Sequence, residues 1–177
     1  PGSYGSSQFT VDVDDTNLSG NLTLKYDATD KVSTYATYST GFKSVGVNVG
    51  GLPLTAEELQ DPVLVHRIAR VQPEEVRHVE VGVKTSPSRT SAVNFTLYQT
   101  VIEDYQTVVF GNTFSNPRGY LANAEEVRVR GFELDANGNV GDAVSLRAAL
   151  VYADGEYVSF TNAPPPLEGT GGPPSVD

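Results

Sequence analysis

Apolar and polar residues alternate strictly along several long stretches of this chain, and this period of two constrains the fold more than any other feature. In residues 18–26, Leu22, Leu24 and Tyr26 are separated by Thr23 and Lys25. Successive side chains of a β-strand point to opposite faces, so this pattern is typical of a strand with one apolar and one polar face. The same reasoning predicts six strands: Leu18–Tyr26, Val32–Phe42, Val76–Lys84, Val93–Ile102, Val127–Ala136 and Val144–Tyr152.

Short and long connections follow one another between the predicted strands. Three are short and rich in turn-forming residues, namely Asp27–Lys31, Ser86–Thr90 and Asn137–Asp142. Two are longer, at about residues 44–73 and 111–121. Transmembrane barrels have this asymmetry, with tight periplasmic turns and longer extracellular loops. The prediction is therefore an all-β fold, an antiparallel meander of about six long strands. A soluble Greek-key sandwich also mixes loop lengths and stays open as an alternative.

Composition and charge exclude other classes. The formal net charge is −10, which argues against a nucleic-acid partner, because phosphate binding needs clustered Lys and Arg. The apolar runs are too short for a transmembrane helix, so a closed barrel is the only route into a membrane. The predicted strands have about the ~9–11 residues that cross a bilayer at a tilt. No Met and no basic-then-apolar leader occurs, so we expect a processed or excised segment.

The parity of the side chains predicts faces and pairings. Hairpin pairing is expected to join Leu22 to residues 32–38, Val81 to residues 93–97, and Leu134 to residues 144–146 as antiparallel neighbours. One face is predicted to carry Leu24, Val81, Phe95 and Leu146, and the other Asn21, Glu80, Thr96 and Arg147.

One predicted strand changes phase. Val127 and Val129 share a face, whereas Phe132 and Leu134 have the opposite parity. The change falls at Gly131, and a glycine inside a strand pattern often marks a bulge. The pattern therefore predicts either a bulge at this glycine or a bend between two short strands.

The chain divides into three predicted parts. Residues 1–17 are a loop or extracellular segment, residues 18–160 a partial barrel domain, and residues 161–177 a Pro/Gly-rich loop or disordered tail. Inside the long connection, a capping-box spacing that begins at Thr55 and a helical spacing over Val63–Val71 predict short helices.

Four motifs occur in a fixed order along the chain: Tyr35–Ser44, Pro73–Thr85, Asn123–Leu134 and Leu150–Tyr157. Together they resemble the strand signatures of the TonB-dependent receptor family of outer-membrane transporters. The resemblance implies a 22-stranded barrel with a plugged lumen, which would use roughly 200 residues in strands alone. We therefore expect this chain to be three hairpins of a larger transmembrane β-barrel that start and stop within extracellular loops.

The same resemblance implies a function and partners. The intact protein would take up an iron chelate or another scarce nutrient across the bacterial outer membrane. An energy-transducing TonB-type partner and a plug domain are implied, together with membrane lipid, although we expect the plug itself and the segment that contacts the partner to lie outside these residues. Two alternatives remain, a complete small outer-membrane barrel of about eight strands and a soluble β-sandwich binding module.

Few residues suggest a chemical site, and no catalytic, cofactor or metal site is predicted. His66 and His78 are candidate metal ligands, and Glu80 is close to His78 in the sequence. No third ligand occurs at a fixed spacing from them. The acidic run Asp12, Asp14 and Asp15 lacks the glycine and the distal glutamate of a calcium loop, which favours a solvated segment. The sequence alone does not identify substrate-binding residues.

Basic and aromatic side chains give two further hypotheses. Arg128, Arg130 and Arg147 are predicted to share polar faces, either as a cationic stripe or, the favoured interpretation, in cross-strand pairs with Glu80, Glu126 or Glu133. Near the extracellular rim, an interfacial girdle or substrate contact is predicted for Tyr105, Phe110 and Phe114, and the girdle is favoured for Tyr105.

Overall fold

One antiparallel sheet of six long strands forms most of the described protein. The computed structural model describes residues 12–48, 54, 57–110, 119–141 and 143–161. The strands are β1 (Gly20–Thr29), β2 (Val32–Lys43), β3 (Gly46–Val47), β4 (Arg70–Val71), β5 (Glu74–Ser88), β6 (Ser91–Phe110), β7 (Gly119–Val140) and β8 (Val144–Ser159). The order in the six-stranded sheet is β1-β2-β5-β6-β7-β8, with every neighbouring pair antiparallel. The predicted meander is thus confirmed.

Several strands are longer than the alternation predicted. β6 has 20 residues and β7 has 22, about twice the ~9–11 that a tilted strand needs to cross a bilayer. Most of the additional residues, 103–110 of β6 and 119–126 of β7, extend the strands on the side away from the short turns. There the pattern of apolar residues fades, so the sequence alone does not mark the strand ends.

The long connection between β2 and β5 folds into a small unit of its own. β3 and β4 pair within it, and α1 (Pro62–Ala69) precedes β4. The Asp61 carboxylate caps the helix by accepting hydrogen bonds from the amides of Val63 (2.9 Å) and Leu64 (3.2 Å). The helix predicted over Val63–Val71 is confirmed as far as Ala69, but Arg70 and Val71 form β4 instead. Thr55 lies outside the described residues. None of the helices in the described part of the chain is long and apolar enough to cross a bilayer.

The ladder register confirms the predicted faces. Residues directly opposite each other in a ladder point to the same side of the sheet. Following the partners from strand to strand puts Leu24, Ala36, Val81, Leu97, Phe132 and Tyr152 in one cross-strand row. We call this side the apolar face and the other, which carries Glu80, Thr96 and Arg147, the polar face. The predicted pairings of Leu22 with Tyr38 and of Val81 with Leu97 are also confirmed.

The bulge or bend predicted at Gly131 is wrong. Gly131 is directly opposite Tyr98 on one side and Ala153 on the other, and both ladders run through it without a shift. The phase change has another cause. On the apolar face of β7, Arg128 and Arg130 come before Phe132, so this face is polar near the start of the strand and apolar after it. Strand and parity continue, and only the chemistry of the surface changes.

The predicted pairing of Leu134 with residues 144–146 is also wrong. Leu134 lies opposite Leu150, and the ladder closes at Val140 opposite Val144. The turn is tighter than predicted and includes Gly141, whose φ of 63° suits a residue without a Cβ. Residues 137–140, which look like turn residues, belong to β7.

The apolar face of the sheet has no second layer over it within the described residues. Leu24 is 69% exposed and Leu150 is 55% exposed, and the buried apolar residues are few: Val65, Ala69, Val71, Val109 and Ala124. Val65, Ala69 and Val71 belong to the connection between β2 and β5, not to the middle of the sheet. A contiguous apolar surface of this kind is stable only against another apolar phase or partner.

Candidate functional site

A shallow groove runs along the polar face, across β1, β2 and β5. Its volume is about 300 Å³, and it is lined by Thr23, Lys25, Ser33, Tyr35, Thr37, Glu80 and Lys84. These residues come from alternate positions of three adjacent strands, so the sheet pleat alone directs them to one side. The groove offers hydroxyl groups, an aromatic ring and charges of both signs for hydrogen bonding.

Tyr35 forms one wall of this groove by lying across the backbone of β5. It is directly opposite Gly82, and a Cβ at that glycine would be 2.4 Å from the tyrosine ring. The Tyr35 hydroxyl is 3.1 Å from Thr96 Oγ1, and Lys84 Nζ lies 5.0 Å from the ring centroid. The glycine therefore lets the ring lie flat, and a hydroxyl and an ammonium group fix it there.

A second aromatic unit lies next to the groove on the polar face. Tyr98 is directly opposite Gly131, and its ring stacks on His78 with centroids 6.2 Å apart. His78 Nδ1 is 2.8 Å from Thr100 Oγ1, and His78 Nε2 is 3.6 Å from a Glu80 carboxylate oxygen. The predicted proximity of His78 and Glu80 is confirmed, and these contacts hold the imidazole in place between strands.

The candidate metal ligands do not form a ligand set in the described structure. His66 lies on the exposed surface of α1. Across the described ranges, no group of three or more His, Asp or Glu side chains has metal-binding geometry. Asp15 instead accepts a hydrogen bond from the Val45 amide at 3.2 Å, while Asp12 and Asp14 are exposed. Asp15 thus joins the segment before β1 to the chain that follows β2.

The predicted common face of the three arginines is wrong. Arg128 and Arg130 share the parity of Phe132 and lie on the apolar face beyond its apolar part, whereas Arg147 lies on the polar face opposite Asn137. Cross-strand pairing is confirmed, but with other partners. Arg128 pairs with Glu156, Arg130 with Asp154 and Arg147 with Asp135. The prediction failed because it assumed that every charge lies on the polar face.

The aromatic rim residues are described only in part. The Tyr105 ring meets Tyr157 edge to face, with centroids 6.3 Å apart. The side chain of Phe110 and all of Phe114 lie outside the described residues. A girdle or substrate-contact role for these aromatics stays a prediction.

Three amide side chains, for which the sequence predicted no contacts, join the long connection to the sheet. They are Asn48, Gln106 and Asn123, and their partners are backbone groups up to 73 residues away in the chain. No local pattern marks such contacts, because each depends on which strands become neighbours.

Comparison with known proteins gives a family and a set of similar solved structures. A family model described as TonB dependent receptor-like, beta-barrel matches residues 2–174. No curated protein sequence matches the chain. Among solved structures, the chain is similar to the copper transporter OprC, at 17% identity with a TM-score of 0.61, over 80% of this chain and 21% of that one. At that identity the likeness shows the fold alone, and the chain spans about a fifth of the neighbour's length.

Proposed function

This chain belongs to the TonB-dependent receptor family of the bacterial outer membrane, and from that premise we propose that it forms a section of barrel wall with its polar face toward the lumen. The observation that carries the proposal is the separation of chemistry between the two faces. The apolar face exposes Leu24, Phe95 and Leu150, as a lipid-facing surface would, and the polar face holds the groove.

For the transported solute, we propose an iron chelate or a similarly polar, scarce nutrient. The described polar face offers hydroxyl, amide and paired charged groups, which suit hydrogen bonding to a chelate. Copper appears in the name of the structural neighbour and is a property of that protein. With no Cys, no Met and two His, this chain provides few of the ligands that copper ions prefer, which favours a metal that arrives already chelated.

The partners follow from the same proposal. A plug domain would lie against the polar face, and a TonB-type protein would supply energy from the inner membrane. The groove of Tyr35 and Glu80 is a suitable surface for plug contact because its polar groups come from rigid neighbouring strands.

Uptake of radioactive iron by cells that carry the receptor containing this segment tests the proposal. Ferric chelates should accumulate in these cells and not in cells lacking the receptor, and an uncoupler of the proton gradient should stop accumulation. Free copper accumulating while ferric chelates do not would contradict the proposed solute. Accumulation that continues with the uncoupler would contradict the energy-coupled mechanism.

A further inference from the structure

The described parts of the long connection between β2 and β5, residues 44–48 and 57–73, are held down along the outer ends of β6 and β7. We call these two parts together the rim loop. It carries α1 and the β3–β4 ladder, and the amide of Asn48 bonds to the carbonyl of Ala69 at 2.8 Å. The rim loop is thus internally bonded before it meets the sheet.

Two asparagines join the rim loop to β7 in a reciprocal manner. Asn48, on the loop, donates to the Leu121 carbonyl (2.9 Å) and accepts from the Leu121 amide (2.7 Å). Asn123, on β7, donates to the Gln72 carbonyl (3.0 Å) and accepts from the Gln72 amide (2.9 Å). Each side-chain amide satisfies both polar groups of one backbone residue, as a neighbouring strand would.

A glutamine on β6 holds both ends of the rim loop at once. Gln106 Nε2 donates to the carbonyl of Ser44 (2.9 Å), where the loop starts, and to that of Gln72 (3.0 Å), where it ends. The backbone amide of Gln106 donates to Glu74 Oε1 (2.8 Å), and the same carboxylate oxygen pairs with Lys43 Nζ (3.0 Å). Loop start, loop end and strand are therefore bonded through two side chains.

We call the side chains of Asn48, Gln106 and Asn123 the clamp. Asn48 is 5% exposed, and Glu74 and Gln106 are each 7% exposed, whereas Asn123 is half-buried. A buried polar group that loses its partner bears the cost of its own desolvation, so the loss of one buried contact should weaken its neighbours. Of the three clamping side chains, Asn48, Gln106 and Asn123, none is charged.

We propose that Asn48, Gln106 and Asn123 are positioning residues that fix the rim loop as a preformed platform on β6 and β7, so that it does not act as a moving lid. A solute reaching this part of the rim meets a surface already in place, with Val63, His66 and Arg67 of α1 exposed on it. The inference depends on the contacts alone and holds whichever solute the receptor transports.

Hydrogen–deuterium exchange on the intact receptor in outer-membrane vesicles tests the platform. In Gln106→Ala, exchange should become on the order of tenfold faster in peptides containing Asn48 and Leu121, although neither amide touches Gln106. Asn123→Ala should also make exchange faster in these two peptides. Asn94→Ala is the matched control, because Asn94 lies on the polar face of the same strand and makes no side-chain hydrogen bond within the described structure.

Exchange at residues 93–99 serves as the internal reference for an intact sheet. If Gln106→Ala changes exchange at residues 93–99, the variant Gln106→Glu is used in its place. A glutamate side chain has the size of glutamine but lacks the amide N–H donor, so the same acceleration at Asn48 and Leu121 is expected. Unchanged exchange at Asn48 and Leu121 in the clamp variants would overturn the proposal. Fast, unprotected exchange of these peptides in the wild-type receptor would overturn it as well.

Discussion

The tyrosine–glycine pairs of the polar face show how single residues set the shape of that face. Tyr35 lies over Gly82 and Tyr98 over Gly131, each pair directly opposite in its ladder. A glycine in a strand normally weakens it, because it has no side chain to pack. Here the neighbouring ring covers the backbone, which compensates for the missing side chain. Both rings therefore lie along the wall instead of projecting away from it.

A methyl group at Gly131 should destabilise the barrel. A Cβ there would be 2.1 Å from the Tyr152 carbonyl oxygen and 2.8 Å from the Tyr98 hydroxyl, so both the backbone and the ring must shift. We expect Gly131→Ala to cost about 1–3 kcal/mol, seen as a lower melting midpoint in heat-dependent gel migration. Gly155→Ala is the control, since its nearest neighbour would be 3.7 Å away. Equal midpoints for the two variants would contradict the close packing of Tyr98.

At the scale of the strands, the apolar face ends in a belt of charge. Glu75, Glu103 and Glu126 are direct partners in one row across β5, β6 and β7. In the next row toward the apolar part lie Arg77 and Arg128, on either side of Val101. Like charges directly opposite each other destabilise a sheet. The arginines offset this repulsion, since Arg77 forms an ion pair with Glu103.

Neutralising a glutamate of this row and neutralising its arginine partner should have opposite effects. Glu126→Gln removes one repulsive neighbour of Glu103 and should stabilise the receptor by about 0.2–1 kcal/mol. Arg77→Gln removes the ion-pair partner of Glu103 and leaves the repulsion within the row, so it should destabilise the receptor by a similar amount. Thermal midpoints in detergent would measure both, and added salt should reduce both differences because the groups are partly exposed. A shift of the same sign for both variants would show that the row is not governed by charge.

The sequence predicted the elements better than their connections. The parity of Leu24, Val81 and Phe95 was sufficient to assign faces, because the side-chain period of a strand is fixed by its geometry. The pairing of Leu134 was missed because a turn rich in Asn and Gly looks the same whether it closes at residue 137 or at residue 141. The contacts of Gln106 were missed because they join segments that are distant in the chain. Nothing local distinguishes this glutamine from a solvated one.

For the whole molecule, the described sheet is open and consists of one layer. β1 and β8 each pair on one side only, so two edges present unpaired backbone groups within the described sheet. In lipid, unpaired backbone groups cost several kcal/mol each. A barrel removes such edges by pairing every strand on both sides. The sheet therefore has the form of a section of a closed wall.

The isolated 177-residue chain should not remain an open monomer in water. Its edges and its apolar face, including Leu24 and Leu150, both favour association. Sedimentation in detergent-free buffer should show dimers or larger species, with circular dichroism typical of β-structure. Detergent should reduce their size by covering the apolar face. A folded monomer without detergent, at all concentrations, would show that the apolar face has been misassigned.

We propose that one face of this sheet meets lipid and that the other lines the lumen, and fluorescence quenching along β6 distinguishes the two faces. The chain contains no Cys, so single cysteines at residues 94–98 can carry a fluorophore without other labelling sites in the segment. In the intact receptor in vesicles, lipids bearing nitroxide groups should quench labels at Phe95 and Leu97. Labels at Asn94, Thr96 and Tyr98 should remain bright. Quenching that does not alternate along the strand, or that alternates in the opposite way, would contradict this assignment of the two faces.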